Sequence, residues 1–374
     1  MTVAPAPLSV PAAAKLKGID HLEWWVGNAR AFAGFLASSF GFRFVAHAGP
    51  ETGRRDRVSY LLEQGDVRFL VTGALHPDSP VAEHVRQHGD GVRDIAFIVD
   101  DVDRALAAAL ARGATSVREP RDDVDDNGTI RHAAIATYGE TVHTFLDRSG
   151  YSGPFAPQFE PSPVHEAKGP AVGIERIDHV VANVEEGTLE EWVGYYERVL
   201  GFDQLVHFSD DAISTEYSAL MSTVVWDGNR VVLPINEPAE GRRKSQIEEY
   251  LDYYGSPGVQ HIALRTPDIV AAVRALRERG VRFLQVPPSY YDDARERMGD
   301  IGDQLPWERL AELGILVDKD HDGYLLQLFT ENVTDRPTVF FEIIQREGAR
   351  GFGEGNFKAL FEAIEREQER RGNL

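Results

Sequence analysis

The sequence has no cysteine among its 374 residues. Disulfides, iron–sulfur clusters, zinc–thiolate sites and cysteine nucleophiles are therefore excluded together. It also lacks an apolar run of about 18 residues, which is the length that a membrane-spanning helix needs. Basic residues are scarce, 39 against 60 acidic ones, which gives a formal net charge of -21. Such a surface repels nucleic-acid phosphates and anionic lipid headgroups, so we expect neither nucleic acid nor a membrane as partner.

The N-terminal segment lacks the features of a signal peptide. Residues 1–15 are rich in alanine and proline, with neither a positively charged start nor an apolar stretch. We therefore expect a flexible tail over 1–16 and a cytoplasmic protein. The rest of the chain, 43% hydrophobic overall, is long and apolar enough for two domains.

The chain repeats itself in five places, in the same order. The matched pairs are 19–21 with 177–179, 40–42 with 200–202, 91–97 with 258–264, 112–113 with 279–280, and 141–145 with 338–342. Five cues in one order indicate a duplication. We predict an N-terminal domain over 17–150, a linker rich in Gly, Pro and Ser over 151–172, and a C-terminal domain over 173–374.

Each half has the pattern of a strand, a helix and further strands, twice over. The β-rich apolar run 258–266 predicts a strand, 267–279 predicts a helix, and the polar turn 318–323 between two apolar runs predicts a hairpin. Two βαβββ units in each half predict an α+β fold in which each half forms a curved sheet open on one side. The second half also has an insertion at about 285–314 and a terminal helix at about 356–371.

Three duplicated positions carry metal-binding side chains in the second half. They are His179, His261 and Glu342. The matching positions of the first half are His21, Asp94 and Phe145. Two imidazoles and one carboxylate on neighbouring strands are typical ligands of non-haem iron(II). Phe145 has no donor atom, so we predict that the N-terminal domain lacks this metal.

A less specific interpretation stays open for each of these residues alone. A single histidine on a strand is more often packed or hydrogen-bonded than bound to metal. Glu342 lies in the apolar run 339–344, where a carboxylate is costly unless it faces a metal or a cation such as Arg346. The match of all three positions across a duplication favours the metal.

Two other motifs do not have the spacing of the sites they resemble. Residues 318–323 begin like a calcium loop, but its twelfth position is Phe329 where glutamate is needed. The glycines within 351–355 do not have the spacing of a nucleotide-binding loop, and we expect a flexible entry to the terminal helix.

Six motifs of the second half resemble the 4-hydroxyphenylpyruvate dioxygenase family. In order, they lie at 233–238, 244–247, 258–261, 325–329, 335–344 and 351–357. The resemblance is dense over residues 174–374 and thinner over 18–150. It implies the vicinal oxygen chelate fold and an iron(II) dioxygenase with one iron per chain. The implied reaction converts 4-hydroxyphenylpyruvate and O2 to homogentisate and CO2, in tyrosine and phenylalanine catabolism.

The resemblance also implies roles for individual residues. It places iron on His179, His261 and Glu342. It places the substrate against Ser222, Pro234, Asn236, Gln246, Gln260, Gln327, Phe329, Phe340, Phe352, Asn356 and Phe357. The polar groups expected to orient the substrate around the iron are Gln260, Gln327, Ser222 and Asn236. A homo-oligomer, dimer or tetramer, is expected.

The sequence also allows alternative interpretations of one residue and of the reaction. Phe357 also fits the apolar stripe of an amphipathic helix, so it could belong to the core. The resemblance includes hydroxymandelate synthase, which uses the same substrate and iron but hydroxylates the benzylic carbon. Pro234, Asn236 and Phe357 match the ring-hydroxylating pattern. Less favoured are an extradiol catechol dioxygenase and a non-catalytic binding protein of the same fold.

Overall fold

We describe the chain from a computed structural model that covers residues 12–162, 171–208, 219–239 and 241–373. Residues 1–11 of the predicted tail and 163–170 of the predicted linker lie outside this description. Each half of the chain builds one mixed sheet flanked by helices, which confirms the duplicated α+β fold.

The N-terminal half contains two four-stranded units that meet at the centre of its nine-stranded sheet, and a short ninth strand that pairs with the second strand at one edge. Its elements are β1 Gly18–Val26, α1 Ala29–Phe40, β2 Arg43–Ala48, β3 Arg57–Gln64, β4 Val67–Ala74, α2 Pro80–His88, β5 Gly91–Ile98, α3 Val102–Ala111, β6 Ser116–Asp125, β7 Gly128–Ala136, β8 Val142–Asp147 and β9 Glu160–Pro161. In each unit the first strand pairs in parallel with the last, β1 with β4 and β5 with β8, whereas β1 and β5 pair antiparallel. The predicted βαβββ order is therefore confirmed.

The C-terminal half repeats this arrangement. Its elements are β10 Arg176–Asn183, α4 Leu189–Tyr195, β11 Asp203–Phe208, β12 Ala219–Trp226, β13 Val232–Ala239, α5 Gln246–Tyr254, β14 Gly258–Arg265, α6 Ile269–Glu278, α7 Ser289–Met298, α8 Trp307–Leu313, β15 Leu316–Lys319, β16 Tyr324–Phe329, β17 Phe340–Glu347 and α9 Phe357–Arg371. Strands β10 and β14 pair antiparallel at the centre, and β14 pairs in parallel with β17. The predicted hairpin is β15–β16, and the insertion forms α7 and α8.

Local sequence explains where α6 begins. Asp268 has an extended backbone, and its side chain accepts a hydrogen bond from the amide of Ala271, which caps the helix. The helix therefore starts two residues later than the predicted range 267–279. Its buried residues Ile269, Ala272, Val273 and Leu276 recur at the spacing of one helical face, and this face packs towards β17.

The two halves share one apolar core. Phe341 of β17 is fully buried, and its ring lies 4.9 Å from that of Phe40, 5.9 Å from that of Trp24 and 6.0 Å from that of Phe69. These three partners belong to the N-terminal half. Since successive strand residues point to opposite faces, the residue after Phe341, Glu342, points away from this core.

The strand register corrects one part of the predicted duplication. Phe340 of β17 and Val142 of β8 stand opposite the matched residues of their neighbours β14 and β5. Glu342 is therefore the counterpart of Thr144, and the predicted match with Phe145 is wrong by one residue. A shift of one residue moves a side chain to the other face of the sheet, and Phe145 is fully buried in the core.

Within the described part of the chain, every helix is too short or too polar to cross a membrane.

Candidate metal centre and substrate cavity

Three side chains meet on one face of the C-terminal sheet. His179 of β10 and Glu342 of β17 each pair with Ala263 of the strand between them, β14. His261 lies two residues before Ala263, and alternate residues of a strand share a face. The donor atoms of the three side chains all lie within 4.8 Å of one another. The structure thus brings together the three residues that were predicted from the sequence.

The site holds a carboxylate that is ionised despite its burial. Burial alone would raise the pKa of Glu342, but the charge and hydrogen bond of His179 and the hydrogen bond of His261 lower it to about 2. Glu342 Oε2 lies 3.2 Å from His179 Nε2 and 3.6 Å from His261 Nε2. A metal ion takes the place of protons in such a cluster, because its ligands must be deprotonated.

The pKa values of the two imidazoles shift in opposite directions. Burial would lower the pKa of His179, but Glu342 and Asp178 outweigh burial and raise it to about 9. For His261, burial is the stronger influence and the pKa falls. The side chain of His261 is 12% exposed, which places it at the mouth of the site.

A buried ion pair behind the centre orients His179. The Nδ1–H of His179 donates to Asp178 Oδ1 over 2.9 Å, and the guanidinium of Arg346 donates to the same carboxylate over 2.8 to 3.1 Å. The pKa of Asp178 lies far below its ordinary range, because His179 and Arg346 outweigh the effect of burial. Carboxylates that hold a ligating imidazole in this way are typical of metal sites. Arg346 therefore forms its ion pair with Asp178, and the alternative in which it pairs with Glu342 is wrong.

The N-terminal half uses the equivalent position differently. Asp94, the counterpart of His261, accepts a hydrogen bond from the amide of Thr144 over 3.0 Å and another from its hydroxyl. The neighbouring pair is nevertheless duplicated, because Asp20 accepts from Arg148 over 2.6 and 2.8 Å and lies 2.7 Å from His21 Nδ1. Both halves thus have an aspartate that holds a histidine and an arginine, whereas the donor residues in front of them differ.

A largely apolar cavity opens beside the three donors. Its volume is about 80 Å³. Ten of the eleven predicted substrate residues line it, namely Ser222, Pro234, Asn236, Gln246, Gln260, Gln327, Phe329, Phe340, Phe352 and Phe357. The eleventh, Asn356, does not. Its side chain is fully buried elsewhere, and Oδ1 accepts from the hydroxyl of Tyr290 over 2.5 Å.

Sequence reasoning missed most of the apolar lining. The additional residues are Val181, Phe208, Leu220, Val224, Leu360 and Phe361. The alternation on β12 was an available signal, since Leu220, Ser222 and Val224 are every second residue of one strand. Phe357 lines the cavity and also packs edge-on against Phe208, so both interpretations of this residue apply.

Aromatic rings surround the donor atoms. The ring of Phe340 stacks on His261 with centroids 4.8 Å apart, and Phe352 meets His179 edge-on at 5.4 Å. Phe329 stands edge-on to His261 at 6.2 Å. Flat apolar walls of this kind suit an aromatic ligand and limit the access of water.

The polar groups of the cavity are uncharged amides and a hydroxyl. Gln260 Oε1 lies 3.0 Å from His261 Nδ1 and so can hold this imidazole as Asp178 holds His179. Among the described residues, none donates to the buried Oε1 of Gln327 or accepts from the buried Nδ2 of Asn183, which lies beside Asn236. A buried polar atom without a partner is costly. Gln327 lines the cavity and can take its partner from a ligand there.

Both the sequence and the fold of this chain are similar to those of known proteins. The family model of the Glyoxalase/Bleomycin resistance protein/Dioxygenase superfamily matches residues 18–152 and 176–328. A 4-hydroxyphenylpyruvate dioxygenase of Dictyostelium discoideum is 48% identical over 96% of this chain and 100% of its own, and one of Aspergillus fumigatus is 46% identical over 96% and 95%. A triple mutant of 4-hydroxymandelate synthase from Streptomyces coelicolor has a TM-score of 0.85 at 36% identity and covers 95% of this chain.

Proposed function

We propose how this site binds its metal and its substrate, given that the chain belongs to the 4-hydroxyphenylpyruvate dioxygenases. This family lies within the Glyoxalase/Bleomycin resistance protein/Dioxygenase superfamily. It is an enzyme with 4-hydroxyphenylpyruvate dioxygenase activity, which converts 4-hydroxyphenylpyruvate and O2 to homogentisate and CO2 in tyrosine catabolism. The observation that carries the detailed proposal is the group of two imidazoles and one carboxylate at the edge of an aromatic cavity.

The metal is iron(II), one per chain, bound by His179, His261 and Glu342. Two nitrogens and one anionic oxygen on one side of an ion are the ligand set of non-haem iron(II) dioxygenases, with the remaining positions open to substrate and O2. When bound, iron(II) would activate O2, and the electrons that reduce O2 would come from the substrate, through its oxidative decarboxylation and ring hydroxylation. Glu342, held ionised, balances part of the charge of the ion.

The cavity orients the substrate by shape and by neutral hydrogen bonds. Phe329, Phe340 and Phe352 provide flat walls for the aromatic ring. Ser222, Asn236, Gln246, Gln260 and Gln327 provide donors and acceptors without charge, which suits a neutral phenol. The substrate is a 2-oxo acid, so its carboxylate and keto oxygens are the groups that face the metal.

Helix α9 closes the cavity. Phe357, Leu360 and Phe361 on one face of α9 line the cavity. Arg371 near the end of the helix donates to Glu249 of α5 over 2.7 and 3.2 Å, which ties the helix down. A closed helix keeps water from the reacting groups. Truncation after Arg350 should therefore abolish homogentisate formation, and an intact rate in the truncated protein would refute this role.

Benzylic hydroxylation is the second candidate, because the structural likeness to 4-hydroxymandelate synthase is strong. Both reactions share the substrate and the metal, and the pocket determines which carbon is hydroxylated. Pro234 and Asn236 lie in the cavity, and in the sequence they match the ring-hydroxylating pattern. The greater identity to the dioxygenases also favours ring hydroxylation.

One experiment tests reaction and site together. The protein is loaded with iron(II) without oxygen and given 4-hydroxyphenylpyruvate, O2 is admitted, and the product is identified by chromatography and mass. We expect homogentisate, with one iron per chain. His261→Ala should lose both iron and turnover, whereas the matched control Asp94→Asn, on the equivalent strand of the other half, should keep both. Hydroxymandelate would overturn the proposed orientation of the substrate, and full turnover by His261→Ala would overturn the ligand set.

Two broader features stay predictions from the sequence: a homo-oligomer, dimer or tetramer, and a cytoplasmic location. Size-exclusion chromatography with light scattering tests the first, and imaging of a tagged chain tests the second.

A further inference from the structure

A second group of metal-binding side chains lies in the N-terminal half. In the described residues, His84, His88 and Glu140 place three donor atoms within 4.8 Å of one another. The two histidines belong to α2, and Glu140 belongs to the turn between β7 and β8. None of the three takes part in the site described above.

The spacing of the histidines fits a shared ligand. His84 and His88 are four residues apart on α2, which places them on one helical face, and their rings lie 4.8 Å apart. Glu140 Oε2 lies 2.9 Å from His84 Nδ1 and 3.4 Å from His88 Nε2. One carboxylate oxygen thus faces one nitrogen of each ring.

The hydrogen bond at His88 Nδ1 indicates that the other ring nitrogen, Nε2, is available to bind a metal ion. His88 Nδ1 lies 2.6 Å from the carbonyl oxygen of Tyr254, which only accepts, so Nδ1 carries the hydrogen. In the neutral ring Nε2 then has a free lone pair, which faces the carboxylate of Glu140. When Nε2 carries no proton, these two acceptors repel each other unless a metal ion lies between them, and among the described residues Nε2 has no hydrogen-bond partner. An imidazole held at one nitrogen by a backbone carbonyl, with the other nitrogen free, is a common arrangement of metal-binding histidines.

The surroundings restrict the kind of ion. His84 and His88 are 1% and 4% exposed, whereas the side chain of Glu140 is 42% exposed and leaves a path for an ion and a water ligand. The guanidinium of Arg93, which lies over the ring of Trp25 beside His84, disfavours a cation held by charge alone. Binding must come from bonds to nitrogen, which favours a transition-metal ion over calcium or magnesium.

Backbone geometry fixes the position of the carboxylate. Gly139 has a positive φ of 55°, and a Cβ there would lie 2.2 Å from the carbonyl oxygen of Pro257 in the C-terminal half. The turn that carries Glu140 is therefore packed closely against the other half. His88 is bonded to the same half through Tyr254. An ion at this position would tie together α2, the β7–β8 turn and, through His88, the C-terminal half.

We propose that His84, His88 and Glu140 bind one divalent transition-metal ion of the zinc class, with water at a fourth position. The donors are His84 Nδ1, His88 Nε2 and Glu140 Oε2. The ion is structural: it stabilises the contact between the two halves. The prediction that the N-terminal domain lacks metal concerned the positions matched to the iron donors, His21, Asp94 and Phe145, which lie on β1, β5 and β8 and outside this cluster.

Zinc binding to variants tests the proposal. The background is full-length His261→Ala, whose iron centre lacks one donor. Equilibrium dialysis against Zn²⁺, followed by metal analysis, should find one ion per chain. Adding Glu140→Gln or His88→Gln should weaken zinc binding at least tenfold and abolish the rise of Tm with zinc. Adding His76→Gln should change neither, because this histidine has a 65% exposed side chain and lies outside the cluster.

Two outcomes of the zinc-binding experiment would contradict the proposed site. If the Glu140→Gln and His76→Gln proteins bind zinc equally well, or if the background binds none, the cluster is only hydrogen-bonded and the proposal is wrong. If His88→Gln fails to fold, Glu140→Gln decides, because its side chain keeps its size at an accessible position. Turnover of the iron-loaded wild type is measured separately, so failure here leaves the proposed function intact.

Discussion

Removing the carboxylate of Asp178 should weaken both metal binding and folding stability. Asp178→Asn keeps the shape of the side chain but removes the charge that holds both His179 and Arg346. Loss of a side chain that orients a metal-binding histidine lowers metal affinity by about 10- to 100-fold, or about 1.4 to 2.7 kcal/mol. The side chain of Arg346 is 9% exposed, and an unpaired buried charge costs a further about 3 to 5 kcal/mol of folding free energy.

The duplication provides a matched control. Asp20 holds His21 and Arg148 in the N-terminal half as Asp178 holds His179 and Arg346. Asp20→Asn should therefore lower stability as well. Its cost should lie towards about 3 kcal/mol, because Arg148 is more exposed, at 21%, and keeps contact with water. It should leave iron affinity unchanged, since His21 is not among the proposed ligands.

The assay measures two quantities on the same proteins. Iron(II) affinity comes from anaerobic titration, and the free energy of unfolding comes from urea denaturation of the metal-free chains. We expect Asp178→Asn to lose both and Asp20→Asn to lose stability only. If Asp178→Asn bound iron within twofold of the wild type, or if both variants lost iron affinity equally, the argument that Asp178 acts through His179 would be refuted.

Three further predictions concern packing, backbone and pH. Phe341→Ala should cost about 3 to 5 kcal/mol of unfolding free energy by urea denaturation, because a fully buried ring between the halves is lost. Gly353→Ala should lower kcat/KM without removing the metal, because φ is 79° there and the new Cβ would lie 2.1 Å from Gln327 Oε1; unchanged kinetics would contradict this. The pKa of Asp20 is depressed, since His21 and Arg148 outweigh burial, so its stabilising effect is present above its unfolded pKa of about 3.9 and is lost as the pH falls through its folded pKa. The stability difference between wild type and Asp20→Asn should therefore shrink below about pH 4, and a constant difference would contradict the linkage.

Much of the candidate site could be predicted because it depends on residue type and order. The donor atoms belong to His179, His261 and Glu342 whatever the fold is. The duplication draws attention to these positions, because each has a matching position in the other half. The fold followed from the same repeats. Residues with no distinctive chemistry gave no such signal: Val181 and Leu360 line the cavity but look like ordinary core residues.

Asn356 marks the limit of reasoning from motifs. It lies within a motif of the resemblance, between glycines and the terminal helix, yet its side chain turns to Tyr290 of the insertion. The fold of the insertion was not predicted, so a hydrogen-bond partner from it could not be foreseen.

The duplicated α+β architecture and the three donor residues could be predicted from the amino-acid sequence, because repeats and donor atoms are properties of the chain. Three other features became visible only in the folded chain: Glu342 corresponds to Thr144, Arg346 pairs with Asp178, and Glu140 lies beside His84 and His88. Each of these depends on strand register or on contacts between segments distant in sequence. A shift of one residue reverses the face of a side chain, and a charged group pairs with whatever partner the packing brings within reach.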